Sequence, residues 1–184
     1  MSRIEEPPYA TELREGRAEI RIYEPMIVAE TLVAGERKAA VNTGFRLLAA
    51  YIFGANKPKA KIAMTAPVQQ QSVQTIAMTA PVTQTASDGR WRVRFTMPRE
   101  WTLETLPAPN DARVHLVEVP PLRVVALRFS GFVTENAIKA RVEEIRNFAD
   151  AHQLKIAEVP ILSFYDPPWT LPFLRRNEVM FEII

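Results

Sequence analysis

The sequence predicts an α+β domain in which short antiparallel strands form a shared sheet or distorted barrel, with two amphipathic helices packed on it. Three observations carry this. Several short segments alternate apolar and polar residues with the two-residue period of a half-buried strand. Two stripes of apolar residues fall at helical spacing, one in each half of the chain. Fifteen prolines in 184 residues cut the chain into short pieces, and proline inside a helix removes a donor and collides with the preceding turn. The connections are too irregular for a doubly wound parallel sheet. A chain of this size buries roughly two thirds of its unfolded surface on folding, enough for one core, so residues 1–184 are expected to form a single domain.

The elements follow in order. Ala18, Ile20 and Ile22 alternate with Glu19 and Arg21, a half-buried strand. Pro25 interrupts, and MIVAETLV resumes as a second strand or the continuation of a bent one. After Gly35, Val41, Phe45, Leu48 and Ile52 are spaced four, three and four apart, a helical stripe that Gly54 is placed to end. Gly44 within it weakens the helix by about 1 kcal/mol and permits close packing. In WRVRFTM, Trp91, Val93, Phe95 and Met97 share one face, Arg92, Arg94 and Thr96 the other, and Pro98 stops the strand. LETLPAPND reads as a loop with turn chemistry at Pro109-Asn110-Asp111. VHLVEV and LRVVALRF read as strands separated by Pro120-Pro121. Thr134 is the expected N-cap of a second helix, in which Ile138, Val142, Ile145 and Ala149 repeat the stripe with Phe148 alongside. ILSFY is a short strand, DPPWTLPFL a rigid loop, and VMFEII a last strand with Val179, Phe181 and Ile183 on one face. Each half, roughly 15–98 and 112–184, thus reads as strand material, one helix and more strands.

One heptapeptide, IAMTAPV, occurs twice, at 62–68 and 76–82, around a polar connector. Its prolines bar a helical continuation. The copies are either two edge strands that brace the sheet, or a paired lining that offers Met64 and Met78 to an apolar ligand.

Much chemistry is excluded. The chain has no cysteine, hence no disulfide, thiolate metal site or thiol catalysis. Its first residues have no apolar signal core, and its apolar runs are too short to span a bilayer, so a cytoplasmic location without a membrane span is expected. The formal charge is +2 with arginines dispersed, so no nucleic-acid partner is expected. His152 has no metal-ligand partner at helical spacing, Glu118 lies three residues after His115 but across the faces of a strand, and no serine lies in a nucleophile elbow. His152 reads as a cation at a helix C-terminus, and His115 as satisfied in its strand or lining a cavity. Glu143 and Glu144 diverge on a helix, and six glycines form no phosphate loop. A non-enzymatic protein is expected. Aromatic residues recur through both halves, and an apolar cavity edged by arginines suits a small, flat hydrophobic ligand carrying carboxylates.

The stretches EIRIYEPMIVAET, FGANKPKAKIAMTAPV, IAMTAPVTQ, WRVRFTMP, TLETLPAPND, ALRFSG and FYDPPWTLPFLRRNEVMFEI together resemble the bacterial form of the SOUL/haem-binding protein family, from about residue 9 to 184. The resemblance implies a distorted antiparallel β-barrel with two flanking helices, built as a pseudo-twofold repeat of β-α-β-β halves. It is also similar to the ligand-binding domain of some bacterial multidrug-responsive regulators. The implied function is non-covalent binding of haem or a related tetrapyrrole, for buffering or transport, without catalysis. The implied cleft lies against the first helix on Val41, Phe45, Leu48 and Ile52, with Arg46 or Lys38 pairing the propionates. One branch of the family uses a histidine axial ligand near this helix. No histidine lies between Tyr23 and Tyr51, where Tyr23, Met26 and Tyr51 are the only conventional ligand types, so that role does not transfer. The alternatives are a general binding module for other flat lipophilic molecules and a structural or protein-interaction role.

Overall fold

The computed structural model describes residues 5–57, 75–78, 80–166 and 169–184. Eleven strands and two helices succeed one another as β1 (Tyr9–Glu15), β2 (Ala18–Tyr23), β3 (Met26–Ala34), α1 (Arg37–Ile52), β4 (Asn56–Lys57), β5 (Val82–Ser87), β6 (Arg90–Thr96), β7 (Ala108–Pro109), β8 (His115–Val119), β9 (Leu122–Phe129), α2 (Glu135–Ala151), β10 (Ile161–Phe164) and β11 (Asn177–Glu182). Among the described residues, nine strands form one curled antiparallel half-barrel in the order β1-β2-β9-β11-β10-β5-β6-β3-β8, and β4 pairs with β7 apart from it.

That order has a centre. The run β3-α1-β5-β6 forms the block β3-β6-β5, and β9-α2-β10-β11 forms β9-β11-β10. The blocks meet where β5 pairs with β10. The strand that precedes each run crosses over, β2 pairing with β9 and β8 with β3. Each half therefore completes the other's sheet.

The helices cover one face. Ala29, Leu48, Val93, Phe95 and Leu106 are buried with α1, and Val125, Leu127, Ile145, Val179 and Phe181 with α2. Local chemistry sets the element ends. Thr134 Oγ1 accepts from the Ala137 N–H at 3.1 Å and caps α2 as expected. Asp88 and Gly89, at φ 48° and 72°, turn the β5–β6 hairpin, the backbone that an Asp-Gly pair accepts readily. His152 ends α2, with its ring 4.3 Å from Phe148 and its Nε2 3.2 Å from Glu15.

The structure departs from the sequence expectations at three elements. In α1 the buried residues are Ala40, Gly44, Leu48, Tyr51 and Ile52, while Val41 is half-buried and Phe45 is 39% exposed. The reason is Gly44. A Cβ there would lie 2.7 Å from Val93 Cγ2, so the glycine lets the helix settle on the sheet with its small residues inward. In the second IAMTAPV copy, Ile76–Met78 is not a strand. The Ile76 N–H donates to Ile52 O at 2.8 Å, satisfying a free carbonyl at the end of α1 instead of a ladder. The first copy lies outside the described residues. Finally, Arg21 is buried, because β2 has neighbours on both edges and Glu19, Glu178 and the Tyr9 ring, 4.4 Å away, pack around the guanidinium.

Candidate functional site

The face of the sheet that carries no helix holds the charged half of each strand pattern. Arg21 and Tyr23 on β2, Glu178 and Met180 on β11, and Ser163 on β10 share it by register. Glu178 is its centre, with a side chain at 0% exposure. Arg21 donates to it through Nη1 at 2.8 Å and Nη2 at 3.1 Å. Tyr165 O–H donates at 2.8 Å, and Arg176 Nε and Nη2 donate at 3.1 Å each. Burial works to raise the Glu178 carboxyl, but the hydrogen bonds and charges of Arg21, with Arg176 and Tyr165, outweigh it and hold the group below the usual carboxylate range. Burial pushes the Tyr165 hydroxyl far up, reinforced by Tyr23 and Glu178, so it stays a donor. On the other block, Arg94 Nε meets Glu30 Oε2 at 2.7 Å. These arginines are committed to carboxylates of the same chain.

Between the two networks lies a dry floor. Met26, Val28, Ile161 and Met180, with Tyr23, line a cavity of about 50 Å³ on this face. The strap Glu5–Pro8 reaches it through Pro7, beside Pro81. Pro7 is buried among the lining residues. Four contacts pin the strap: the Ala80 N–H to Glu5 O at 2.9 Å, the Glu24 N–H to Pro8 O at 3.1 Å, the Arg99 N–H to Glu5 Oε1 at 2.8 Å, and Arg176 to Glu6 at 2.9 Å. A neighbouring cavity of about 210 Å³, an outer mouth, shares Pro7, Met26 and Thr96 as walls and reaches Ile27 and Met97 of the α1-side core. Glu5, Glu6, Glu24 and Glu118 line the mouth against a single guanidinium, Arg99. Trp101 lines it too, with a buried indole Nε1 that donates to no acceptor among the described residues.

The residues expected from the resemblance sit on α1, on the opposite face. Leu48 and Ile52 are enclosed in the core, and Val41 packs at its edge. Phe45 lies edge-on to Phe95 with ring centroids 5.2 Å apart. Lys38 and Arg46 are exposed, and neither makes an ion pair among the described residues. The structure does not gather these six into one open surface. A cleft of about 500 Å³ does lie against α1, but on the flank of Leu47, Ala50 and Tyr51, closed by Pro109–Ala112 and Val114. Tyr51 O–H donates to Pro107 O at 2.8 Å, and burial pushes that hydroxyl up to about 12. Its proton is held where a metal-bound phenolate would have to form.

The groove residues left a weak trace in sequence. Arg21 and Glu178 alternate with apolar neighbours as any solvated strand face does, and nothing local marks that face as covered. No group of three or more acidic or histidine residues among those described is arranged to hold a metal, and no described helix is long and apolar enough to cross a membrane.

Comparison with solved structures shows the same fold at low identity. A protein described as a hydrolase from Listeria innocua superposes with a TM-score of 0.58 at 14% identity, over 94% of each chain. The C-terminal domain of EcmrR superposes with a TM-score of 0.57 at 12% identity, over 96% of this chain and 98% of that one. The chain also matches 56% of EcmrR solved in a complex with DNA, at 10% identity and a TM-score of 0.60. The expectation of no nucleic-acid partner is therefore withdrawn. Dispersed arginines describe this domain's own surface, whereas the fold also occurs inside a DNA-bound assembly. No curated protein matches the sequence. The family pattern described as "SOUL heme-binding protein" matches residues 4–182.

Proposed function

Because the chain belongs to the SOUL heme-binding protein family, we propose that it is a non-catalytic binding protein for lipophilic small molecules, taken up on the helix-free face beneath the strap Glu5–Pro8. The observation that carries this reading is the apolar floor of Met26, Val28, Ile161 and Met180, over which Pro7 of the strap is buried and, among the described residues, no helix lies. At about 50 Å³ the closed cavity is smaller than the roughly 300–1,000 Å³ of ligand pockets. A ligand enters by displacing the strap.

The mouth sets the preferred charge. Of its four carboxylates Glu24 pairs with Arg99 and Glu6 with Arg176, and Glu5 and Glu118 leave it net negative, so a flat aromatic cation is attracted and a dianionic tetrapyrrole repelled. Trp101 adds a π face for such a cation. Haem has a second reading, favoured by the size of the α1 cleft. There the ligand lies against Leu47 and Ala50, and the exposed Arg46 is on the same helix.

Parallel titrations with rhodamine 6G, as a lipophilic cation, and with haem test both readings. The expected result is a saturable one-to-one isotherm for rhodamine, weakened severalfold by Glu118→Gln, a change at an exposed carboxylate with no ion pair among the described residues. Saturable haem binding that Leu47→Arg abolishes and rhodamine does not compete for would move the function to the α1 cleft. Non-saturating uptake of both would sink small-molecule binding altogether.

A further inference from the structure

We infer that the turn Trp169–Arg175, together with the loop Ser130–Phe132, is a docking surface for an anionic phospholipid bilayer. The reading is independent of the groove, which opens elsewhere. Within six residues, Trp169, Leu171, Phe173 and Leu174 expose 82%, 55%, 69% and 63% of their surface, and Phe132 exposes 68%. The Gly131 N–H donates to Pro172 O at 2.9 Å, which brings Phe132 beside the turn. Exposure this high along consecutive large side chains means that they stand out from the surface, and a monomer in water rarely leaves such a patch without a use.

The patch is ordered before it binds. A 3-10 turn over Pro172–Leu174 and the bond from Arg175 Nε to Thr170 O at 2.7 Å hold it in shape. Ordering entropy is thus largely met within the fold, as membrane insertion of a loop requires.

Charge selects the occupant. Phe173 and Leu174 border a depression of about 610 Å³ that Arg14, Arg17, Arg128, Arg175 and Glu19 also line; Arg14 pairs with Glu19 and Arg17 with Glu144. Arg128 is exposed and has no ion-pair partner among the described residues. Aromatic and leucine side chains inside a fringe of arginines are the composition that settles at the headgroup boundary of a negatively charged leaflet. An acidic protein surface would pair Arg128 but would offer no solvent for five protruding apolar side chains.

Co-sedimentation of the full chain with vesicles tests the inference, using neutral phosphatidylcholine alone and the same lipid with about a third phosphatidylserine. Binding is expected to the anionic vesicles and at least about tenfold less to the neutral ones. Adding salt should weaken it, and Trp169 emission should shift to the blue on binding. Arg128→Glu should cut partitioning by about fivefold or more, and Phe173→Ser with Leu174→Ser should remove it at an unchanged far-UV spectrum. Should the double variant misfold, Arg128→Glu alone, at an exposed site, still decides. Equal pelleting with both vesicles, no pelleting, or a self-associated species dispersed by the serine changes while vesicles recover nothing would each overturn the proposal.

Discussion

Glu178 has no contact with solvent, and its two carboxylate oxygens are shared among Arg21, Arg176 and Tyr165. A carboxylate in this position is tolerated only while its partners stay in place, because neither it nor Arg21 can turn to water. Replacing it by Gln leaves the Arg21 guanidinium, itself 3% exposed, with Glu19 at 2.6 Å as its remaining carboxylate. Breaking a buried pair from one side costs about 3–5 kcal/mol, and with Glu19 still in place Glu178→Gln should destabilise by about the lower end of that range at neutral pH. The pH dependence follows from the direction of the shift. The carboxyl is held below its ordinary value in the fold, so it takes a proton more readily when unfolded. Its stabilisation is full above the ordinary glutamate value of about 4 and is lost as pH falls through the lower folded value. Urea midpoints measured from neutral pH down to about pH 3 should therefore fall more steeply for the parent chain than for Glu178→Gln. Parallel curves would remove Glu178 from the account of acid stability.

Helix α1 is governed by an absence of side chain. Its Gly44 faces the fully buried Val93, and a methyl group there would meet Val93 Cγ2 at 2.7 Å and Thr31 Cγ2 at 3.2 Å. Two effects compete in Gly44→Ala. Helix propensity gains about 1 kcal/mol, whereas overpacking against a stiff β-branched neighbour costs about 1–3 kcal/mol. Contact at 2.7 Å decides for the second, and the variant should lose about 1 kcal/mol net. Combining it with Val93→Ala should recover part of the loss, with a coupling of about 1 kcal/mol in a double-mutant cycle. Strict additivity would place the two residues out of contact. The same position explains what could be read from sequence. Helix α2 was legible because its N-cap is a threonine and its inward residues are Ile145 and Ala149 among larger apolar ones. For α1 the helix and its end at Gly54 were legible but its inward face was not, since Ala40 and Gly44 carry no hydrophobic signal. Strands β2, β3, β6, β8 and β9 formed where their segments read as strands. The candidate groove did not, because Arg21 and Glu178 are 157 residues apart, and only the crossing of β2 to β9 brings them together.

At the scale of the whole molecule, the exchange of β2 and β8 between the halves places the helix-free face on strands from both halves. Neither half alone can form the groove floor, since Met26 and Val28 come from one block and Ile161 and Met180 from the other. The halves are therefore fixed relative to each other, and access is left to the strap. Its hold consists of backbone hydrogen bonds worth about 0.5–1.5 kcal/mol each, the half-exposed Glu6–Arg176 pair worth at most about 1 kcal/mol, and the burial of Pro7. A closed strap reduces the apparent affinity of any ligand beneath it by the fraction of molecules that are open. Pro7→Gly loosens the strap twice over, by removing the buried ring and by adding about 1 kcal/mol of backbone entropy to the released segment. If the groove is the binding site, this variant should bind rhodamine 6G about three- to tenfold more tightly while melting at a lower temperature. Amide exchange at Ala80 and Glu24, whose N–H groups bond the strap, should quicken in step. If Pro7 instead forms a wall that the ligand rests on, its removal weakens binding. Tighter binding and faster exchange together would establish the strap as the gate, and weaker binding would return it to the structure of the site.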